Sequence, residues 1–162
     1  MIRIVVAAML AVATLAAVVP AVDHARAKST DATIESAVDR FERAGRTLAT
    51  TEDATTKRSW AATRRVTVRL PRRSLTAARP AFVAVGGRPG GPGNRSVVAF
   101  ALASSPTRLR GLSLPIPIRT PAGPVVVREP GRTSVSLALV RQRGRGGPEL
   151  FVAREPPPTR SG

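Results

Sequence analysis

The hydropathy pattern changes character along the chain. Residues 4–19 (IVVAAMLAVATLAAVV) carry no charge, and Arg3 precedes them. Adding Pro20, Ala21 and Val22 gives nineteen residues, which as a helix would span about 28 Å. A spanning helix needs roughly 20 apolar residues, and the core of a signal peptide about 7–15. The run lies between these lengths. Ala and Val dominate it, so its drive to insert is modest, which favours a cleavable signal. Pro20 is expected to break the helix near its end. Ala25-Arg26-Ala27 offers small residues at signal-peptidase spacing, and Val19-Pro20-Ala21 is a second option. A retained anchor is the alternative, because the chain continues as a plausible helix. Residues 1–27 are therefore read as a signal peptide or membrane anchor, with membrane contact through residues 2–22. The short basic N-terminus should stay in the cytoplasm, so the bulk lies outside. The expected location is the cell membrane, as a single-pass protein, or the medium.

A second pattern begins past residue 28. Ile34, Val38, Phe41, Gly45 and Leu48 recur at spacings of 4, 3, 4 and 3, one narrow stripe of a helix over 30–50. Ser29, Thr30 and Asp31 are candidate N-caps. Asp39 with Arg43 and Glu42 with Arg46 are i,i+4 pairs with the acid first, the better orientation. Such a stripe packs on the chain's own sheet or on a partner. Two heptads are short for a coiled coil, so the chain's own sheet is favoured. Residues 28–60 are assigned to this helix and a linker.

Over 61–153 the period becomes two. Val66, Val68 and Leu70 alternate with Arg65, Thr67 and Arg69, and Pro71 ends the run. Residues 81–85 and 96–103 flank the loop GGRPGGPGN (86–94) and form a hairpin. Leu112, Leu114, Ile116 and Ile118 alternate with Ser113, Pro115, Pro117 and Arg119, and the prolines allow only an edge strand or a polyproline stretch. Residues 124–127 and 133–141 are joined through REPGR, where Pro130-Gly131 suits a type II turn. A last short strand covers 148–153, and the tail 154–162 is extended. The fold class is α+β: an N-terminal apolar helix plus an amphipathic helix, then a small antiparallel β sandwich or open barrel. This order of elements resembles the layout of pilins, although no short basic leader precedes the apolar run and no acidic residue stands near its start.

Charge sharpens this picture. Of 162 residues, 26 are Lys or Arg and 10 are Asp or Glu, a net charge of +16. The positive charge is concentrated behind residue 53: no Asp or Glu occurs from Ala54 to Arg128. So basic a block attracts acidic partners. The candidate contacts for an anion or an acidic partner are Arg64, Arg65, Arg69, Arg72 and Arg73. The expected partner is an acidic envelope protein or membrane complex. Nucleic acid is the alternative, met by an Arg-rich β face, but Trp60 is the one aromatic near these cations and base stacking needs more.

Chemistry is sparse. Cysteine is absent, which excludes thiolate chemistry, and the single histidine, His24, excludes a histidine cluster and, lying in the export segment or its flank, leaves no histidine for a Ser-His-Asp triad in the β region. No catalytic, cofactor-binding or metal-ligating residue is assigned, and the protein is read as non-enzymatic. The Gly-rich loop lacks GxGxxG and a Walker lysine, and strands rather than a helix flank it, so it is read as a hairpin loop. Asn94-Arg95-Ser96 is a sequon, which makes Asn94 a candidate glycosylation site.

Three stretches resemble an uncharacterised haloarchaeal family, a domain of unknown function of membrane-anchored or exported proteins. They are AAVVPAVDHARA (16–27), RRVTVRLPRRSLTAA (64–78) and PIPIRTPAGPVVVREPGRTSVSLALVR (115–141). The resemblance implies an N-terminal apolar helix and a small β domain, and no functional residues. It also implies high salt, where the Debye length is about 3 Å at 1 M. Phosphate binding driven by counterion release would collapse there. Contact Arg–carboxylate pairs do not depend on range, which favours a protein partner over DNA.

Overall fold

The computed structural model describes residues 2–72, 74, 76–103, 105–141 and 146–155. The chain opens with one helix, α1 (Ile2–Thr51), of 50 residues. The apolar run and the amphipathic stripe are thus two halves of a single element. Contrary to expectation, Pro20 lies inside α1 rather than ending it. An interior proline costs about 3 kcal/mol and one backbone bond. Long helical stretches on both sides, the second docked on the domain, carry the helix across it. Threonine is accommodated by bonding back one turn: the hydroxyls of Thr30, Thr33 and Thr47 donate to the carbonyls of Arg26, Ser29 and Arg43 at 3.0, 3.0 and 2.9 Å.

A 3₁₀ turn (Arg58–Trp60) leads into eight strands: β1 (Thr63–Leu70), β2 (Pro80–Val85), β3 (Val97–Leu102), β4 (Arg108–Gly111), β5 (Ile118–Arg119), β6 (Val125–Val127), β7 (Gly131–Arg141) and β8 (Pro148–Arg154). They form two open four-stranded sheets, ordered β1-β7-β8-β5 and β4-β3-β2-β6. The α+β class holds, with two open sheets and no closed barrel.

The strands read from alternation are present. In β1, Val66, Val68 and Leu70 are buried while Arg65, Thr67 and Arg69 are exposed. β2 and β3 pair antiparallel across the Gly-rich loop. The proline-rich stretch keeps only β5, an edge strand as expected. β5 runs parallel to β8, so the sheets are not wholly antiparallel. β4 was not foreseen, since Arg-Leu-Arg-Gly shows no apolar alternation; it is an exposed edge strand paired with β3. β6 and β7 do not form a hairpin: β6 pairs with β2 and β7 with β1 and β8. The chain changes sheets at 128–130. Gly131 has φ +119°, the positive φ that glycine was expected to supply, but the segment is a bend between sheets and not a hairpin turn.

The stripe on α1 is covered by the chain's own sheets. Ile34, Val38, Phe41 and Leu48 are 1–4 % exposed and share one core with Val66, Val68, Val83, Val85, Leu137 and Leu150. Gly45 lets the helix approach closely, since a Cβ there would stand 3.1 Å from Leu150 Cδ2 and 2.7 Å from Leu114 Cδ2. Polar latches flank the stripe. Glu42 accepts the Ser113 N–H at 3.0 Å, and Arg46 donates to the Ser113 carbonyl at 2.8 Å. Of the two expected helix pairs, Glu42–Arg46 forms at 3.6 Å, while Asp39 faces Arg110 across at 4.0 Å instead of Arg43.

Candidate functional site

The first functional surface is the outer half of α1. Ile4, Val5, Met9, Leu10, Val12 and Val19 are 58–75 % exposed, and none of the most apolar 18-residue window is buried. The helix is long and apolar enough to cross a membrane, consistent with a membrane anchor or a signal sequence. A soluble monomer seldom leaves so large a continuous apolar surface in water.

The second surface is basic. Each of the domain's three carboxylates is engaged by a domain arginine: Glu155 by Arg65, Glu149 by Arg119 at 3.3 Å, and Glu129 by Arg154 at 3.0 Å. Two further arginines of β4 reach the helix, Arg108 to Asp31 and Arg110 to Asp39. Arg64, Arg69, Arg72 and Arg132 are exposed and make no ion pair among the described residues. The β1–β7 register sets Arg69 directly opposite Arg132, with Thr67 and Ser134 as the next pair on that face. Like charges opposite each other across strands are unfavourable, and no carboxylate among the described residues pairs with either arginine. The unbalanced charge therefore faces outward.

Of the five arginines singled out from sequence, Arg65 and Arg69 share the outer face of β1. Arg65 is spent on Glu155. Arg64 has the opposite strand parity, and Arg72 lies past the strand end. Arg73 lies outside the described residues, as does most of the tail, 156–162. The residue that sequence reasoning missed is Arg132. Its place beside Arg69 follows from strand register, which no local pattern announces. The aromatic rings near the basic region already stack under cations of the same chain, Phe151 under Arg58 at 3.6 Å and Trp60 under Lys57 at 4.3 Å.

The Gly-rich loop is packed, not a cradle. Thr120, 2 % exposed, accepts the Asn94 N–H at 2.8 Å through its hydroxyl, and its own N–H donates to Asn94 Oδ1 at 2.7 Å. A Cβ at Gly93 would lie 2.6 Å from Thr120 Oγ1, so the glycines admit Thr120 rather than a phosphate. Asn94, at φ +63°, is exposed at the end of this loop. No group of His, Asp and Glu that could hold a metal ion occurs among the described residues.

A long helix that exposes its apolar half and buries a stripe of the other against two open sheets, with a cationic outer face, defines a helix-borne β domain. The chain belongs to the family described as Domain of unknown function (DUF7311), which matches residues 1–155. No curated protein and no solved structure matches it.

Proposed function

We propose that this is a non-enzymatic protein of the cell envelope, held in the membrane by the apolar half of α1, with its bulk outside, and presenting a basic β domain to acidic partners at the surface. The observation that carries this reading is the continuity of α1. The exposed apolar half runs without a break into a half cemented to the domain by its core stripe and by Arg108, Arg110 and Ser113. An anchor joined this way sets the domain at a fixed stand from the membrane. The unpaired Arg64, Arg69, Arg72 and Arg132 support an anionic partner, and arginine suits bidentate pairing with carboxylates.

Cell fractionation with mass spectrometry of the mature N-terminus tests the reading. The intact chain should be in the membrane fraction, beginning at or next to Met1. A chain beginning at Lys28 in the medium would remove the anchor. An intact chain dissolved in the cytosol would remove the envelope assignment altogether.

A further inference from the structure

We infer that the cleft where α1 meets the turn preceding β2 binds the headgroup of an anionic phospholipid, with Arg79 taking the phosphate. The inference rests on α1 being a retained anchor. The cleft is lined by Asp23, Arg26 and Ala27 from the helix and by Ala78, Arg79 and Leu102 from the domain. Its walls are pinned. The Ala78 N–H donates to the Arg26 carbonyl at 3.4 Å, the buried Thr30 hydroxyl shares its one proton between the Arg26 and Ala78 carbonyls, each 3.0 Å away, and the Ala103 N–H donates to the Arg79 carbonyl at 3.3 Å.

Depth argues for lipid. Asp23 directly follows Val22, the last residue of the apolar run, and Arg26 stands about 6 Å further along the helix. The polar layer on each side of a bilayer is roughly 5–8 Å thick. With the apolar half of α1 in the hydrocarbon, the cleft opens at headgroup level. Charge argues for an anion. Asp23 and Arg26 offset each other in a 3.0 Å pair. Arg79 is exposed and its side chain has no ion pair among the described residues, which leaves the cleft with one surplus cation. Ala27, Ala78 and Leu102 give an apolar wall beside it, suited to the glycerol and upper acyl segments.

The test uses the full chain in phosphatidylcholine vesicles carrying a trace of spin-labelled phosphatidylglycerol or spin-labelled phosphatidylcholine. The immobilised fraction of each probe, read by electron paramagnetic resonance, gives their relative affinity. One arginine at an anionic headgroup is worth about fivefold. The wild type should favour the anionic probe by about that factor. Arg79→Gln should lose the preference and Arg79→Lys should keep it. Equal immobilisation of both probes, or a preference that survives Arg79→Gln, overturns the site. So does displacement of the anionic probe by inorganic phosphate or polyglutamate beyond that by chloride of equal ionic strength, which would make it a soluble-phosphate or protein-docking cleft. A chain that does not float with either vesicle overturns the anchor instead, so the two failures are distinguishable.

Discussion

Truncating Phe41 to alanine tests whether the stripe on α1 belongs to the chain's own core. Phe41 is 2 % exposed, between Ile34 and Val38 on the helix and Val68, Val83 and Val85 on the two sheets. Deleting a buried phenyl ring costs transfer free energy plus a cavity term, together about 3–5 kcal/mol. The site collapses poorly, because the ring borders residues of the helix and both sheets at once. A domain of this size has about 5–15 kcal/mol of stability in all, so the loss is a large fraction of it. It corresponds to a fall in Tm of about 10 °C. Urea unfolding of the full chain in detergent micelles, followed by far-ultraviolet circular dichroism, measures it. Arg43→Ala, exposed on the same helix, is the control and should stay within about 0.5 kcal/mol of wild type. If the Phe41 variant unfolds with its control, the stripe is not core. A wild-type midpoint that climbs with protein concentration would then point to self-association along that seam.

Other substitutions probe the loop and the charges. Gly93→Ala would set a Cβ 2.8 Å from the Thr120 carbonyl and should cost about 1–3 kcal/mol, whereas Gly111→Ala, with nothing within 4 Å, should cost far less; equal midpoints would refute the packed-loop account. Thr120→Val strands the Asn94 N–H and should destabilise by about 1–3 kcal/mol in the same assay, and no change would mean that water replaces the hydroxyl. Arg132→Ser should stabilise the domain by a few tenths of a kcal/mol by relieving Arg69, while weakening retention on a polyglutamate column; unchanged retention would discard this face as an acidic-partner contact. Arg110→Ala should be within about 0.5 kcal/mol of wild type, since its pair is 4.0 Å apart and half exposed on both sides. Arg108→Ala should cost more than Arg110→Ala, about 1 kcal/mol, because it abandons Asp31, whose Oδ1 is buried without a partner; chemical denaturation ranks the two.

The parts of the fold visible in the sequence are those written in local periodicity. Val66, Val68 and Leu70 against Arg65, Thr67 and Arg69 specify a half-buried strand, and the 4-3-4-3 stripe specifies a helix face. Pro115 and Pro117 correctly confined their stretch to an edge. What was hidden depends on pairing between distant residues. Nothing near Pro130-Gly131 tells whether the next strand returns beside β6 or crosses to the other sheet. β4 is an edge strand made by its pairing with β3 and by Arg108 and Arg110 reaching to α1, not by alternation. Pro20 misled because its local penalty is real, yet small beside the core stripe and latches that hold the docked half of the helix. Arginine as a class was legible as the candidate contact, but the particular juxtaposition of Arg69 and Arg132 needed the register.

The continuity of α1 ties these surfaces into one geometry. Because the helix is rigid and docked, each latch measures distance from the end of the apolar run at 1.5 Å per residue. The Arg26–Ala78 contact stands about 6 Å beyond Val22, Asp31 with Arg108 about 14 Å, and Glu42 with Ser113 about 30 Å. Surfaces at these heights meet different anions. On the proposed anchoring, Arg79 would lie within the polar layer of a bilayer, where phosphate is concentrated. Val68, Arg69 and Leu70 of β1 line one apolar pocket with Ile34, Val38 and Phe41, which stand about 18–29 Å beyond Val22 along the helix. On that anchoring, Arg69 and Arg132 would stand more than a Debye length clear of the lipid at physiological salt, about 8 Å, and would not be held by headgroup charge. Their cross-strand repulsion would be relieved by carboxylates or phosphates of the proposed acidic partner. A flexible linker after the apolar run would let every arginine sample the bilayer in an anchored chain; an unbroken helix would keep the two proposed anion-binding surfaces apart.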